Sequence, residues 1–396
     1  MISVSEAEKI IHQHLFKPEV HEVVLQDTIG NVLAEDIHCD RDFPPFNRVA
    51  MDGIAIQYES YKEGVRKFGI ESIQPAGVAQ GELLNKKNCI EVMTGASLPK
   101  NTDTVIRYED LNISNSIATI TVNDISHYQN VHPQGADSRA GDLILQKGDP
   151  ISPAEIALLA SVGKNKVIVY KKPKIIIVAT GDELVDVTQI PLPHQIRSSN
   201  SFSLQAAFRR DGFSADTVKI SDDTNILEKE IPALLSKYDL MILTGGVSKG
   251  KYDYIPAVLE KSGIKKLFHV VAQRPGKPLW FGNSEKNTVF ALPGNPVSSF
   301  MCYHRYVKPW LSESLGLSNP KHYGILDSDF TFQPPLTYFL QVSIRNEMGI
   351  LKASPVQGGG SGDFVNLKEV NGFLELPADK SVFKTGEPYP YFPFRD

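Results

Sequence analysis

Acidic side chains follow apolar runs at three places in this sequence. Asp182 and Glu183 come after KIIIVAT (174–180), Asp222 and Asp223 after Thr217–Ile220, and Asp253 lies beyond LMILT (240–244). Carboxylates gathered together repel unless protons or cations offset them, and a divalent ion held against an anionic ligand is such a cation. A purely structural reading stands beside this one. Asp223 suits the N-cap of a helix starting near Asn225, and the dipole favours Asp253 in a first helical turn.

Glycines and basic residues accompany these acids. Gly245-Gly246-Val247-Ser248-Lys249-Gly250-Lys251 offers backbone N–H groups ahead of a helix expected near Asp253, an arrangement that suits a phosphate. It approaches the Walker A pattern. Tyr252, however, stands where Ser or Thr would bind magnesium, and Asp239 precedes its apolar run, so a nucleoside triphosphatase is not expected. Arg274 and Lys277 flank the turn Pro275-Gly276. In Pro293-Gly294-Asn295-Pro296-Val297-Ser298-Ser299, Asn295 reads as an N-cap and Pro296 as the first helical residue, with free N–H groups and two hydroxyls for an anion. Together these segments favour a phosphorylated ligand over bare turns.

The elements that position them are legible as four short apolar runs between Lys174 and Leu311: KIIIVAT, LMILT, KLFHVVA (266–272) and TVFAL (288–292). Continuous apolar runs separated by helical patterns indicate parallel strands covered on both faces, hence a doubly wound α/β domain. Ligands of such sheets sit at the carboxyl ends of the strands, where all these motifs fall.

The remaining segments read differently. Ser3-x-x-Glu6 opens a helix expected to reach about Phe16, and Glu22 to Ile37 reads as two strands about Ile29-Gly30-Asn31. DRDFPPFNRVAMDGI (40–54) starts a β-rich lobe with strands near 89–93, 104–108 and 117–122. Ser152-Pro153-Ala154-Glu155 begins another helix, ending at Gly163. The expected domains are 1–42 with 139–172, an inserted lobe at 43–138, the α/β domain at 173–316, and a small C-terminal β-barrel at 317–396, with a flexible glycine-rich loop at 358–362. A net charge of −5 without a Lys/Arg run argues against nucleic acid. Scattered Cys39, Cys89 and Cys302 suggest buried thiols in a reducing compartment. No run nears the roughly 18 apolar residues of a membrane span, and no leader is evident, so a cytoplasmic location is expected.

Seven segments in order then identify a family. PPFNRVAMDGIA (44–55), MTGASLP (93–99), GADSRAGD (135–142), ATGDEL (179–184), TGGVSKGKYDY (244–254), RPGKP (274–278) and LPGNPVSS (292–299) closely resemble the molybdenum insertases, or molybdopterin molybdenumtransferases, which include the C-terminal domain of gephyrin. The resemblance implies an elongated, four-part protomer that forms a homodimer, with the α/β domain binding molybdopterin. It implies adenylated molybdopterin and molybdate as substrates, molybdenum insertion with release of AMP, and Mg²⁺ as cofactor. It also implies the molybdopterin-adenylating enzyme and apo-molybdoenzymes as partners.

Carried onto this sequence, the family's catalytic positions are Asp52, Thr94, Asp137, Glu183, Asp223 and Asp253, with Glu183 and Asp253 suited to the metal. Substrate contacts fall on Gly245, Gly246, Ser248, Arg274, Lys277, Pro293, Gly294, Asn295, Pro296 and Ser298. Two lysines that family members often carry are Val270 and Arg274 here. Arginine keeps the charge and adds a planar fork, whereas valine cannot supply one. Two other readings remain: a scaffold protein like gephyrin's domain, and an enzyme that only adenylates molybdopterin. The residues outside 173–316 have no evident place in the latter.

Overall fold

The computed structural model describes residues 1–246 and 254–395. The chain divides into two compact units, one of Glu22–Ile29 and Leu33–Val167, the other of Met1–His21, Gly30–Val32 and Ile168–Asp396.

In the first unit, six strands form one sheet in the order Thr104–Arg107, Gly53–Ile56, Asn88–Val92, Lys67–Gln74, Ile117–Ile120 and Leu111–Ser114. Residues pack against both faces of its centre. Ile54 and Ile56 join Phe68, Cys89 and Ile106 on one side, while Ala55 joins Val49, Ile90 and Val105 on the other. That two-sided burial explains why the strand GIAI is apolar throughout. Gly53 is required at its start, because an added Cβ would lie 1.9 Å from the Ile106 carbonyl oxygen.

The helix Pro153–Ser161 carries the expected capping box, with Ser152 and Glu155 satisfying each other's backbone N–H groups, and ends before Gly163 at a φ of +74°. The reading of residues 22–37 needs correction. The strand Val20–Val24 gives way to a 3-10 turn at Leu25–Asp27, and the two-residue strand Ile37–His38 pairs with Leu143–Leu145 instead.

In the second unit, the opening helix Val4–His12 has the Ser3–Glu6 capping box but stops short of Phe16. The chain turns away because the His14 ring bonds the Ile10 carbonyl, and the Phe16 amide donates to Ser314 Oγ at 3.0 Å. Beyond it lies the α/β sheet, in the order Ala215–Ile220, Ile175–Thr180, Leu240–Thr244, Thr288–Leu292, Trp280–Asn283 and Lys265–His269. The first four strands are parallel. Trp280–Asn283 runs antiparallel to both its neighbours, so Lys265–His269 points the same way as the parallel set.

Ile175 and Ile177 pack with Leu204 and Phe208 on one face, and Ile176 and Val178 with Leu227 and Val258 on the other, as the continuous apolar runs required. The run at 266–272 is shorter than expected. Val270 takes a φ of +78°, rare for a β-branched residue, and Val271 then leaves the sheet to bridge Ile2.

Thr337–Glu347, Ile350–Pro355, His322–Leu326, Pro388–Pro393 and Gly372–Leu376 follow one another around a closed barrel, the last pairing back to the first. Gln273–Arg274 adds to it in parallel beside Thr337 and Tyr338. The fold is thus the expected α/β domain with a β-rich lobe and a small C-terminal barrel. Among the described residues, no helix is long and apolar enough to cross a membrane.

Candidate active site

The carboxyl edge of the α/β sheet gathers the sequence motifs. After Thr180, Gly181 has a φ of +141°, and the Glu183 carboxylate folds back over it, 2.6 Å from where a Cβ would stand. Asp182 Oδ1 accepts from Ser221 Oγ at 2.8 Å, tying this loop to the next strand end. Asp223 caps the helix Thr224–Leu235, with Oδ1 accepting from the amides of Asn225 and Ile226 at 2.9 and 3.2 Å. Both bonds use one oxygen.

Gly245 and Gly246 have positive φ and lie against the same edge. A Cβ on Gly245 would stand 2.6 Å from the Thr180 carbonyl oxygen. Gly294 packs on Gly245, and its carbonyl accepts from Asn200 Nδ2 at 2.7 Å. Ser248 and Asp253, two residues assigned to the site from the sequence, lie outside the described residues.

The segment from Pro293 meets its expectation in part. Asn295 is the N-cap of Pro296–Cys302 and Pro296 its first residue, but the Asn295 side chain makes no cap. It donates instead to Ser361 Oγ at 2.8 Å, while the Val297 amide donates to the Ser361 carbonyl at 3.2 Å. The Ser299 hydroxyl is bonded to the Asn295 and Pro296 carbonyls. The free amide of Val297 and the free Ser299 hydroxyl read from the sequence are therefore already engaged. Ser298 is 2% exposed and lines the adjoining cleft.

That cleft, of about 990 Å³, lies between the sheet edge and the barrel. Arg274, Lys277, Gly294, Asn295, Tyr338 and Ser361 are among its lining residues. Arg274 and Lys277 are exposed, and neither has an acidic partner among the described residues. Their turn is braced from below. Buried Gln273 donates to the Gly276 carbonyl at 2.9 Å and accepts from the Tyr306 hydroxyl. Two exposed cations on a held turn raise the local potential for an anion. Burial pushes the Tyr338 phenol up, and nearby Arg274 opposes that shift. Val270 is buried and carries no charge to the site.

The other sequence-derived residues lie in the first unit. Asp52 Oδ1 accepts from both the amide and the hydroxyl of Thr94, each at 2.6 Å. Those bonds hold the Asp52 carboxyl below its ordinary range. Asp137 Oδ1 lies 2.9 Å from His132 Nε2, and His132 Nδ1 lies 3.1 Å from Arg48 Nη2. Arginine only donates, so Nδ1 accepts and the proton sits on Nε2, directed at Asp137. Tyr108 donates its amide to the Asp52 carbonyl at 3.1 Å and its hydroxyl to Glu91. Sequence reading missed Arg48, His132, Glu91 and Tyr108 here, and Tyr338 and Ser361 in the cleft. Only strand register and barrel docking bring them into place. Among the described residues, no group of three His, Cys, Asp or Glu side chains is arranged to hold a metal ion.

Comparison with known proteins covers nearly the whole chain. Residues 2–163 match the MoeA N-terminal region (domain I and II), 176–313 a probable molybdopterin binding domain, and 323–394 the MoeA C-terminal region (domain IV). The chain is 39% identical to a molybdopterin molybdenumtransferase of Synechocystis, over 99% of this chain and 100% of that one. It is 30% identical to the molybdopterin molybdenumtransferase of Bacillus subtilis, over 97% and 92%. A molybdopterin biosynthesis protein of Pyrococcus horikoshii, 28% identical, superposes over 100% of both chains with a TM-score of 0.84.

Proposed function

The chain belongs to the molybdopterin molybdenumtransferase family, and we propose that it inserts molybdenum from molybdate into adenylated molybdopterin, cleaving the adenylate and releasing AMP. It is a transferase of molybdenum cofactor biosynthesis. The observation that carries the finer reading is the cleft lined by the exposed cations Arg274 and Lys277, which have no acidic partner among the described residues. Molybdate is a tetrahedral dianion and the adenylate a phosphoanhydride, so both need donors and positive charge. Arg274 offers a planar fork and Lys277 a point charge. The close-packed Gly245, Gly246 and Gly294 leave backbone free to approach an anion.

Glu183 and Asp253 are the residues that would hold Mg²⁺, with Asp223 Oδ2 near the same edge. Magnesium keeps several waters and takes one or two carboxylates plus substrate phosphates, a demand that two such side chains could meet. When bound, it supplies neutralising charge for the phosphates. Asp52, Thr94 and Asp137 complete the site, contributed by the partner subunit of a homodimer. The division into 1–42 with 139–172, 43–138, 173–316 and 317–396, the cytoplasmic location, and the adenylating enzyme and apo-molybdoenzymes as partners belong to the same reading.

The reading is tested by molybdate-dependent AMP release from adenylated molybdopterin. Wild type should release AMP only when molybdate and Mg²⁺ are present. Glu183→Gln and Asp253→Asn should fold normally and lose that release at limiting Mg²⁺. Wild-type turnover in either variant removes that residue from the mechanism, and a protein that binds the pterin without converting it is a scaffold instead.

A further inference from the structure

The barrel wall of the cleft carries an aromatic stack to which no role has been assigned. Phe330 and Phe332 are two residues apart on an extended segment, and Tyr338 comes from the neighbouring strand Thr337–Glu347. The Phe330 and Tyr338 planes differ by 4° with centroids 5.7 Å apart, and the Phe332 and Tyr338 planes by 13° at 4.2 Å. Other ring pairs among the described residues are tilted or edge-on, such as Phe281 with Phe290 and Phe383 with Tyr389. Edge-on pairing interlocks rings within a core, whereas a parallel stack can be continued by another flat ring.

Phe332 belongs to the barrel core, and half-buried Phe330 and Tyr338 pack against that core at the cleft wall. Phe330 and Tyr338 line the cleft, and the Arg274 guanidinium stands 5.9 Å from the Phe332 ring centroid. Flat apolar faces therefore share the cleft with the exposed cations Arg274 and Lys277. A ligand matching both features has a planar ring and a phosphate a short linker away.

We propose that Phe330 and Tyr338 form a ring-stacking subsite for a planar nitrogen heterocycle whose attached phosphate reaches Arg274 and Lys277. The inference deepens the proposed function and rests on it, because adenylated molybdopterin carries two such rings, adenine and the pterin. Phe332 supports the stack from its buried side and orients Tyr338.

Equilibrium binding to the full-length protein tests this with three probes: AMP, molybdopterin and ringless inorganic pyrophosphate. Phe330→Leu and Tyr338→Leu keep apolar bulk but lose the flat π face, while Tyr338→Phe keeps the ring. The leucine variants should weaken AMP or molybdopterin on the order of tenfold, as loss of a base-stacking ring does. Pyrophosphate should bind them as it binds wild type, and Tyr338→Phe should match wild type on every probe. Weakening of AMP assigns the subsite to adenine, and weakening of molybdopterin assigns it to the pterin. Unchanged binding of both ring-bearing probes to the leucine variants overturns the subsite alone. So does a parallel fall in pyrophosphate binding, which marks a collapsed cleft. A wild-type protein that binds neither AMP nor molybdopterin removes the proposed function and the subsite together.

Discussion

Thr94 spends both its donors on one oxygen of Asp52, and this has a pH consequence. The folded carboxyl sits below its ordinary value, so it remains ionised to lower pH than a free aspartate. Its stabilising contribution is present above the unfolded pKa and lost as pH falls through the folded one. Thr94→Val removes the hydroxyl donor and keeps the amide. The Asp52 carboxyl should then titrate at higher pH by NMR, and the acid limb of the activity profile should move up with it. An unmoved titration separates Thr94 from the ionisation of Asp52. On the sheet side, Arg274→Ala should weaken molybdate more than adenylated molybdopterin, because one charge-assisted contact is worth on the order of 1.5–3 kcal/mol. Calorimetric titration with each ligand decides it; if pterin affinity falls and molybdate binding does not, Arg274 serves the other anion. Arg274 and Lys277 were legible in the sequence because a Pro-Gly turn with flanking cations is local. The His132–Asp137 pair was not, since His132 is oriented by Arg48 across a strand pairing.

At the scale of elements, Gly53 follows the Asp52 loop and opens an internal strand of its sheet. Gly53→Ala places a Cβ against the Ile106 carbonyl with backbone on both sides, so no flexible side chain can yield. Overpacking of this kind should cost about 3 kcal/mol. Urea unfolding followed within the first unit measures it; a shift under 1 kcal/mol on the order of a surface change contradicts the tight pairing. The parallel strands were legible because burial on two faces writes a continuous apolar run into KIIIVAT, LMILT and TVFAL. Trp280–Asn283 was not, because it is four residues long, contains Gly282 and pairs with strands on either side of it in sequence. The C-terminal barrel was expected from its short β-like pieces, but not which strands close it: Thr337–Glu347 and Gly372–Leu376 pair across an intervening strand and turn. The glycine-rich loop at 358–362 reads as a spacer, yet Ser361 within it bonds Asn295 and so lines the cleft.

At the scale of the whole molecule, the candidate residues fall into two groups, Asp52, Thr94 and Asp137 in one compact unit and Glu183, Asp223, Arg274 and Lys277 in the other. A twofold dimer makes two equivalent sites when each group serves the partner's cleft. Asp52→Ala and Asp253→Ala proteins, each inactive alone, should then complement when unfolded and refolded together. Half the dimers are mixed and each holds one intact site, so about a quarter of wild-type activity should return. Verified mixed dimers with no recovered activity place both residues in a site within one chain. In the proposed function, molybdenum insertion and adenylate cleavage are one coupled event. The direct measurement incubates purified protein with adenylated molybdopterin, Mg²⁺ and molybdate, and follows AMP release and activation of a molybdenum-free apoenzyme in the same sample. Both should appear together and both should vanish when molybdate is omitted; AMP released at the full rate without molybdate, or apoenzyme activated with no AMP formed, rules the coupling out.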